Sequence, residues 1–411
     1  MKLLLPGAAL ASLLLSSEAW AEPSCTTITR ENVAMCAVSA SLPVRAAAFA
    51  TTARRADVER AKVLLPSNPI LALSFAGRRS TDDSAFNAYG QLGQELELGG
   101  QRSARTKEAR ARVVASESHR SAAEREVAAE ALAGYFEVLA AREESVLFRR
   151  VETLALRVAD TARAQANAGA VSEVDADVGE AQAAKRTHAR IVAEGHLAAA
   201  EVRLARLVGA SGTTVPAEGS LRPLALPARN EPSPRVAALT KEAEALDAQA
   251  SGLARSRVPN ITVSVFAQSD GFRERVLGAG LSLPIPLPEP LGRSRSSEIA
   301  GARAEAERTR AEAEGVRIAL AREADAFQAE TTALLQASAV VDDARAARAE
   351  ASLAKLAEEV ERGRMHARDA FVAQDALADL LAQRIAAKRA ACIASVRLAA
   401  LRGVALERGT P

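Results

Sequence analysis

Histidines, cysteines and acidic residues are the side chains of this sequence with the types needed for catalysis or metal binding. The four histidines, His119, His188, His196 and His366, are scattered along the chain. None has the i, i+4 spacing or the cysteine neighbour that a zinc site needs. The sequence has no glycine-rich phosphate loop. With so few histidines, no Ser/His/Asp or Cys/His arrangement can be argued. The sequence therefore predicts no enzyme, no cofactor and no metal site.

The charged residues are almost balanced. The chain has 53 Lys and Arg against 51 Asp and Glu, for a net charge of +2, and the two signs are interleaved. A nucleic-acid-binding protein needs a basic patch or stripe. We therefore expect no nucleic acid among the partners.

The N-terminus has the pattern of a secretory signal peptide. Lys2 precedes an apolar stretch from Leu3 to Leu15, and residues 19–21 have the small-x-small pattern of a cleavage site. We expect residues 1–21 to be removed on export. Acylation of Cys25 is the alternative, but residues 22–24 lack the small apolar side chains that a lipoprotein signal requires. No later run reaches the roughly 18 apolar residues of a membrane-spanning helix, so the exported chain could enter a membrane only by strands.

The three cysteines are best interpreted in the light of export. Cys25 and Cys36 are close in sequence and would lie in an oxidising compartment, which favours a small disulfide between them. Two free, buried thiols are the alternative. Cys392 lies alone within a helical pattern.

The sequence repeats itself at an offset of about 191 to 194 residues. The segment SLPVRAAA from Ser41 recurs as PSPRVAAL from Pro232, and Tyr135-Phe136 falls over Ala326-Phe327. A constant offset over so long a span indicates a tandem duplication. The predicted units are a first repeat at 22–215, a linker at 216–234, a second repeat at 235–404 and a C-terminal tail at 405–411.

Each repeat has the same order of predicted elements. A β-hairpin, at about 68–98 and again at about 259–288, shows period-two alternation that places apolar side chains on one face. A helical hairpin follows at about 103–208 and about 294–402. Its outgoing arm, Ser103 to Asn167 or Ser294 to Arg362, reads as one helix on the order of 100 Å long, because alanine, arginine and glutamate are strong helix formers.

The two arms of each helical hairpin meet at an acidic turn. Gly169 suits the left-handed end of a helix, Ser172 can cap the next one, and Asp175 lies in its first turn. Gly363 and Asp369 repeat the spacing between Gly169 and Asp175. The two aspartates could also be no more than ordinary residues of a helix N-terminus.

Four strands in one chain cannot close a barrel by themselves. In lipid an open sheet edge leaves backbone N–H and C=O groups unsatisfied, so other copies must pair with it. Three copies supply about twelve strands, enough for an aqueous lumen, whereas two supply about eight, which side chains nearly fill. The predicted fold is mostly α with a small β part: long antiparallel helical hairpins form an α-barrel, and two β-hairpins per chain complete a β-barrel of about 12 strands in a trimer.

Two segments within this duplicated plan resemble a known family. QELELGGQR at Gln94 to Arg102 and GLSLPIPLPEPLGR at Gly280 to Arg293 are similar to segments of the TolC family of outer-membrane factors. Both are most similar to its heavy-metal CzcC-like branch. The resemblance covers nearly the whole mature chain, because it includes the order of elements and their duplication.

The resemblance implies a TolC-like homotrimeric exit duct in the outer membrane that extends into the periplasm. Such a duct receives its substrates, which the CzcC-like branch implies to be heavy-metal cations, from an inner-membrane transporter of the RND type through a periplasmic adaptor. In the family the helical tips dock on the adaptor, and the matching residues are Gly169, Val171, Ser172, Val174, Asp175, Gly363, Met365 and Asp369. Asp369 also matches a residue of the acidic periplasmic gate, whereas the second gate position falls on Val372.

Two other functions remain open at this level. A duct of the same fold could serve type I secretion or drug efflux, which the sequence does not distinguish from metal efflux. A secreted coiled-coil scaffold or adhesin is the alternative from another class. A two-stranded coiled coil needs large apolar residues at its a and d positions, and these helices offer mainly alanine. We therefore expect the duct.

Overall fold

A computed structural model gives the fold of the chain. It describes residues 25–79, 84–225, 233–269, 274–285, 287, 295–404 and 406. The predicted signal peptide, the middle of the predicted linker and almost all of the predicted C-terminal tail lie outside the described residues.

The described chain is mostly helical with one small sheet, which confirms the predicted fold class. The helices are α1 Val33–Ala40, α2 Leu42–Ala61, α3 Gln101–Asn167, α4 Glu173–Leu207, α5 Pro234–Arg255, α6 Ser296–Val340, α7 Asp343–Glu361 and α8 Ala367–Leu401. The strands are β1 Ile70–Arg79, β2 Ser84–Leu96, β3 Ile261–Ser269 and β4 Arg275–Ser282.

The strands form one antiparallel sheet in the order β1-β2-β3-β4. The two predicted hairpins are confirmed, and they join through the pairing of β2 with β3, in which Gln91 lies opposite Phe266. In the described chain β1 and β4 each have one edge without a strand neighbour. The sheet therefore ends at both sides with unpaired backbone groups.

The helix α3 is the longest element, and most of the other helices pack on it. It has 67 residues, which corresponds to a length of about 100 Å. Its buried residues are largely alanines, whose small side chains let α2, α4, α5 and α8 approach closely. Only near its middle do large side chains concentrate, with Leu132, Tyr135 and Phe136 buried against Leu204 and Val396.

The outgoing arm of the second repeat differs from the prediction. A single helix was predicted over 294–362, but α6 ends at Val340 and α7 begins at Asp343. Asp342 caps α7, and its Oδ1 accepts a hydrogen bond from the backbone N–H of Arg345 at 2.7 Å. An aspartate competes for backbone N–H groups and so favours a new helix start over continuation. The prediction of one unbroken arm is wrong for this reason.

The N-terminal segment is fastened to the middle of α3. Cys25 and Cys36 form a disulfide, and the backbone of Ile28 bridges to that of Ala217. The hydroxyl of Tyr135 donates to the carbonyl of Glu218 at 2.6 Å. Among the described residues no single helix is long and apolar enough to cross a membrane, and only the bent pair α1 and α2 reaches that length and composition when taken together.

Candidate functional site

The sheet presents one apolar and one polar face. The register puts one set on the apolar side: Leu71, Leu73, Phe75, Phe86, Ala88, Leu92, Val263, Val265, Ala267, Leu277, Ala279 and Leu281. The opposite side carries mostly small and polar residues: Ala72, Ser74, Asn87, Gln91, Gly93, Thr262, Ser264, Gln268, Gly278, Gly280 and Ser282. The larger side chains of Ile70, Tyr89, Phe266 and Val276 lie on this side as well. In the single chain Leu277 is 83% exposed and Leu281 70%. An exposed apolar surface of this extent indicates contact with a membrane or a protein partner.

Polar side chains tie the end of the sheet to the helices. Asn260 donates from Nδ2 to Glu95 Oε1 at 2.7 Å, and Ser67 Oγ donates to Glu95 Oε2 at 3.2 Å. Gln101, the first residue of α3, donates from Nε2 to the carbonyl of Val258 at 3.0 Å. These bonds join both repeats where strands become helices, so the sheet has a fixed position on the helical part.

Two cavities flank this junction, with volumes of about 1050 and 990 Å³. Both are lined by Glu97, Arg105 and Glu108, and Arg105 forms an ion pair with Glu97. The part of the chain that the structure describes holds no group of three or more His, Cys, Asp or Glu side chains arranged for a metal ion. The lining of the cavities mixes charged groups with apolar side chains, such as Leu65 in the first and Ile285 in the second.

The first helical tip has a capped turn. Gly169 follows α3 with φ of 73°, and the N–H of Ala170 donates to the carbonyl of Gln165 at 2.8 Å, which ends the helix. Ser172 caps α4, because its Oγ accepts from the N–H of Asp175 at 3.1 Å and donates to Asp175 Oδ2 at 2.7 Å. Val174 is 69% exposed beside this turn.

The second tip also turns at a glycine, but the cap of the helix that follows it is weaker. Gly363 has φ of 69°, and the N–H of Arg364 donates to the carbonyl of Glu359 at 2.9 Å. His366 is the N-cap of α8 and makes no side-chain capping bond. Asp369 lies in the first turn of α8, as its spacing from Gly363 predicted.

The two tips pack against each other. A small apolar cluster joins all four arms: Ala155, Val158, Ala159, Ala183, Ala357, Val360, Ala370 and Phe371, with Met365 packed on it. Phe371 of α8 lies against Gly179 of α4, where a β-carbon would be 3.6 Å from its ring. The structure therefore brings Met365 into the contact between the hairpins, whereas Ser172, Val174, Asp175 and Asp369 lie on the exposed side of the tips.

A buried ion pair above the tips was missed by the sequence reasoning. Arg186 of α4 is only 6% exposed and pairs with Asp375 of α8. Gln374, also buried, donates from Nε2 to the carbonyl of Val151 in α3 at 2.8 Å. Burial lowers the pKa of Arg186, an effect that the charge of Asp379 opposes. The sequence holds many arginines, and nothing in its pattern singles out the one that becomes buried.

Known proteins resemble this chain in both sequence and structure. A family model described as "Outer membrane efflux protein" matches residues 37–210. No curated protein sequence matches the chain. The fold is that of an outer-membrane channel.

Solved channel structures share this fold at low sequence identity. A structure of CusC has a TM-score of 0.74 at 15% identity over 91% of each chain. The CmeC outer membrane channel of Campylobacter jejuni has a TM-score of 0.69 at 13% identity, over 100% of this chain and 95% of its own. The open MtrE outer membrane channel of Neisseria gonorrhoeae has a TM-score of 0.67 at 16% identity, over 93% and 90%. The family match over residues 37–210 and the shared fold together support an outer-membrane efflux duct.

Proposed function

We propose that the chain is the exit duct of a tripartite efflux system and works as a homotrimer in the outer membrane. The observation that carries this proposal is the sheet with one apolar face, one polar face and two unpaired edges. Three copies would pair β4 of one with β1 of the next and close a barrel of about 12 strands. The apolar face would then meet lipid, and the polar face would line the lumen.

The helical tips are the proposed docking surface for a periplasmic adaptor. Both tips end in glycine turns with positive φ, and exposed Val174 and Val372 lie beside them. An apolar side chain next to a capped, rigid turn gives a partner a defined contact at small entropic cost. The proposed docking residues are Gly169, Val171, Ser172, Val174, Asp175, Gly363, Met365 and Asp369. An inner-membrane transporter of the RND type would deliver substrate through that adaptor.

Asp369 is the proposed acidic gate residue at the inner end of the duct. It lies in the first turn of α8, on the exposed side of the tip. Three copies around one axis would place three such carboxylates near each other, which would attract a cation. The neighbouring Val372 is apolar and 66% exposed, so the gate would have one acidic ring.

Heavy-metal cations are the proposed substrate. The support is the similarity of the segments at 94–102 and 280–293 to the CzcC-like branch. The polar sheet face is rich in hydroxyl and amide groups such as Ser74, Gln91 and Gln268, and Glu95 adds a carboxylate at its helical end. Hydroxyl and amide groups can contact a hydrated cation, and a carboxylate attracts it.

The mass of the protein in its membrane tests the assembly. The full chain is extracted with detergent from separated outer membranes, and light scattering corrected for bound detergent gives its mass. A trimer in that fraction is the expected result. A monomer or dimer in the soluble periplasm would overturn the proposal, because the apolar face would then not meet lipid, and the scaffold alternative would replace it.

Charge reversal at both tips tests the docking surface. The variant D175K/D369K should lose export of metal cations and co-purification with the adaptor, while its mass in detergent stays that of the wild type. Both residues are exposed, so the fold should tolerate the changes. Wild-type export by this variant would reject the assignment of the tips.

A further inference from the structure

The outer side of the helices just below the sheet carries cations without carboxylate partners. We propose that Arg102, Lys107, Arg110 and Arg255 form a basic cluster that binds the phosphate groups of anionic phospholipids. The lipids would be those of the leaflet next to the helical part. This inference rests on the proposed function, because it requires the apolar face of the sheet to lie in a membrane.

Contacts define the two sides of α3. Arg105, Glu108 and Arg112 recur at helical spacing, and all three line the larger cavity beside Glu97. Glu97 continues the alternation of Glu95 and Gln91, so these residues lie on the side of the polar sheet face. Lys107 and Arg110 lie roughly opposite, at about 100° per residue around the helix. They share the side of the apolar sheet face.

The cations on the polar side are neutralised. Arg105 pairs with Glu97, whose side chain is 8% exposed, and Arg112 Nη2 lies 2.7 Å from Glu108 Oε1. On the apolar side Lys107 and Arg110 are exposed, and neither forms a salt bridge within 4.0 Å in the described part of the chain. In the first three turns of α3, the cations without carboxylate partners therefore lie on the outer side.

Two further arginines next to them are held by neutral acceptors. Arg102 donates from Nε to the carbonyl of Lys62 at 2.8 Å. Arg255 donates from Nη1 to the carbonyl of Gly100 at 3.2 Å and to Ser103 Oγ at 2.7 Å. These bonds fix the guanidinium groups in place without cancelling their charge. Lys62 differs from them, because its Nζ pairs with Glu59 at 2.6 Å.

The cluster lies where lipid headgroups would be. The apolar side chains of the sheet continue towards the helices as far as Leu98, which lies between β2 and α3 and is 62% exposed. Lys107 and Arg110 follow at about 9 and 14 Å along α3 from its first residue. Arginine and lysine next to an apolar surface lay their stems along it and place the charge at the headgroups. Anionic headgroups attract such residues, and the attraction weakens with salt.

Vesicle binding and native mass spectrometry test the cluster on the full-length protein. Wild type and K107E/R110E are mixed with vesicles of phosphatidylcholine alone or with a quarter phosphatidylglycerol, and protein that floats with the vesicles is measured. Retained phosphatidylglycerol is counted on the detergent-purified protein. We expect the variant to bind phosphatidylglycerol about ten-fold more weakly and to lose the salt-sensitive preference for the anionic vesicles.

Two further variants and two possible outcomes make the test decisive. R322E/R348E removes two exposed cations far from the sheet and should behave as wild type, whereas K107R/R110K should keep the preference. Wild-type phosphatidylglycerol binding by K107E/R110E, with circular dichroism and mass unchanged, would overturn the cluster alone. Failure of the wild type to insert into either vesicle would instead overturn the membrane duct itself.

Discussion

The two repeats build their outgoing arms differently. In the first repeat α3 runs unbroken for 67 residues, whereas in the second the arm is divided into α6 of 45 residues and α7 of 19. At the repeat offset of about 191 to 194 residues, Asp342 falls over residues 148–151, a stretch without an aspartate in which Arg149 Nε donates to Glu194 of α4 at 2.7 Å. Arginine continues a helix and aspartate starts a new one. The aspartate of the second repeat therefore favours the break, and the first repeat has no aspartate in the corresponding stretch.

The break in the second arm is held in place by basic residues of its neighbours. The carbonyls freed at the end of α6 accept from Arg345 Nη1, 2.6 Å from Val340 O, and from Arg384 Nε, 3.2 Å from Val341 O. Lys388 and Arg384 also pair with Asp343 and lower its pKa. The backbone carbonyls at the break thus have hydrogen-bond partners, as those within an unbroken helix do.

The largest expected effect concerns a phenylalanine that both repeats share. Phe136 is fully buried in α3, whereas its counterpart Phe327 in α6 is only partly buried in the single chain. F136A should lower the free energy of unfolding by about 3–5 kcal/mol and F327A by about 1 kcal/mol. Denaturant unfolding followed by circular dichroism measures both. An equal loss in F327A would show that a neighbouring copy buries Phe327, so that the repeats are equivalent in the assembly.

Next comes the ion pair that joins the two hairpins. R186A leaves the carboxylate of Asp375 in α8 without its buried guanidinium partner. We expect the free energy of unfolding to fall by about 2 kcal/mol, and not by more, because the carboxylate is 35% exposed to water. Lys185 is the control, because its Nζ lies 3.6 Å from the same carboxylate with a side chain that is 62% exposed. K185A should change stability by less than about 0.5 kcal/mol. Equal effects of the two variants would mean that burial of Arg186 has no energetic consequence.

A pH dependence distinguishes the two returning arms, because only α8 contains a cysteine. Burial raises the pKa of Cys392 from 9.0 to about 12. The unfolded thiol ionises first, so stability is complete below pH 9 and falls as pH rises towards 12. Between those values the loss is about 1.4 kcal/mol per pH unit at most. C392A should show a flatter stability profile than wild type from pH 9 to 10.5, and identical slopes would contradict the burial of this thiol.

The smallest effect concerns the helix starts. D342A removes the cap of α7 and should lower the free energy of unfolding by about 1 kcal/mol. S172A removes the cap of α4 and should lower it by about the same amount. Replacing His366 by alanine should have little effect, because it makes no capping bond. Hydrogen exchange of the first-turn amides measures each change. Faster exchange at the start of α8 in H366A would contradict the difference between the two tips.

The sequence predicted the elements that depend on periodicity and on strong local signals. The alternation at 86–98 predicted which side chains share a sheet face, and the glycine and serine of the first tip predicted its turn. The pairing of β2 with β3, which joins the two hairpins into one sheet, was not predicted, because it depends on how the two repeats meet.

Other features could not be predicted because they depend on tertiary contacts. Val340 to Asp343 lies in a strongly helical stretch, and the bonds from Arg384 and Arg345 that satisfy its break come from the fold. Arg186 looks like every other arginine until α4 and α8 bury it. The basic cluster was hidden in the same way, since near-neutral composition conceals which cations are left without partners.

The open sheet has a consequence for how the protein must be made. In the proposed assembly, each single chain carries an exposed apolar face and two free strand edges before it meets its partners, and these features drive aggregation. The yield of soluble chain should therefore fall steeply when synthesis outpaces assembly. The surface that would meet lipid in the proposed duct is the one that exposes the unassembled chain to aggregation.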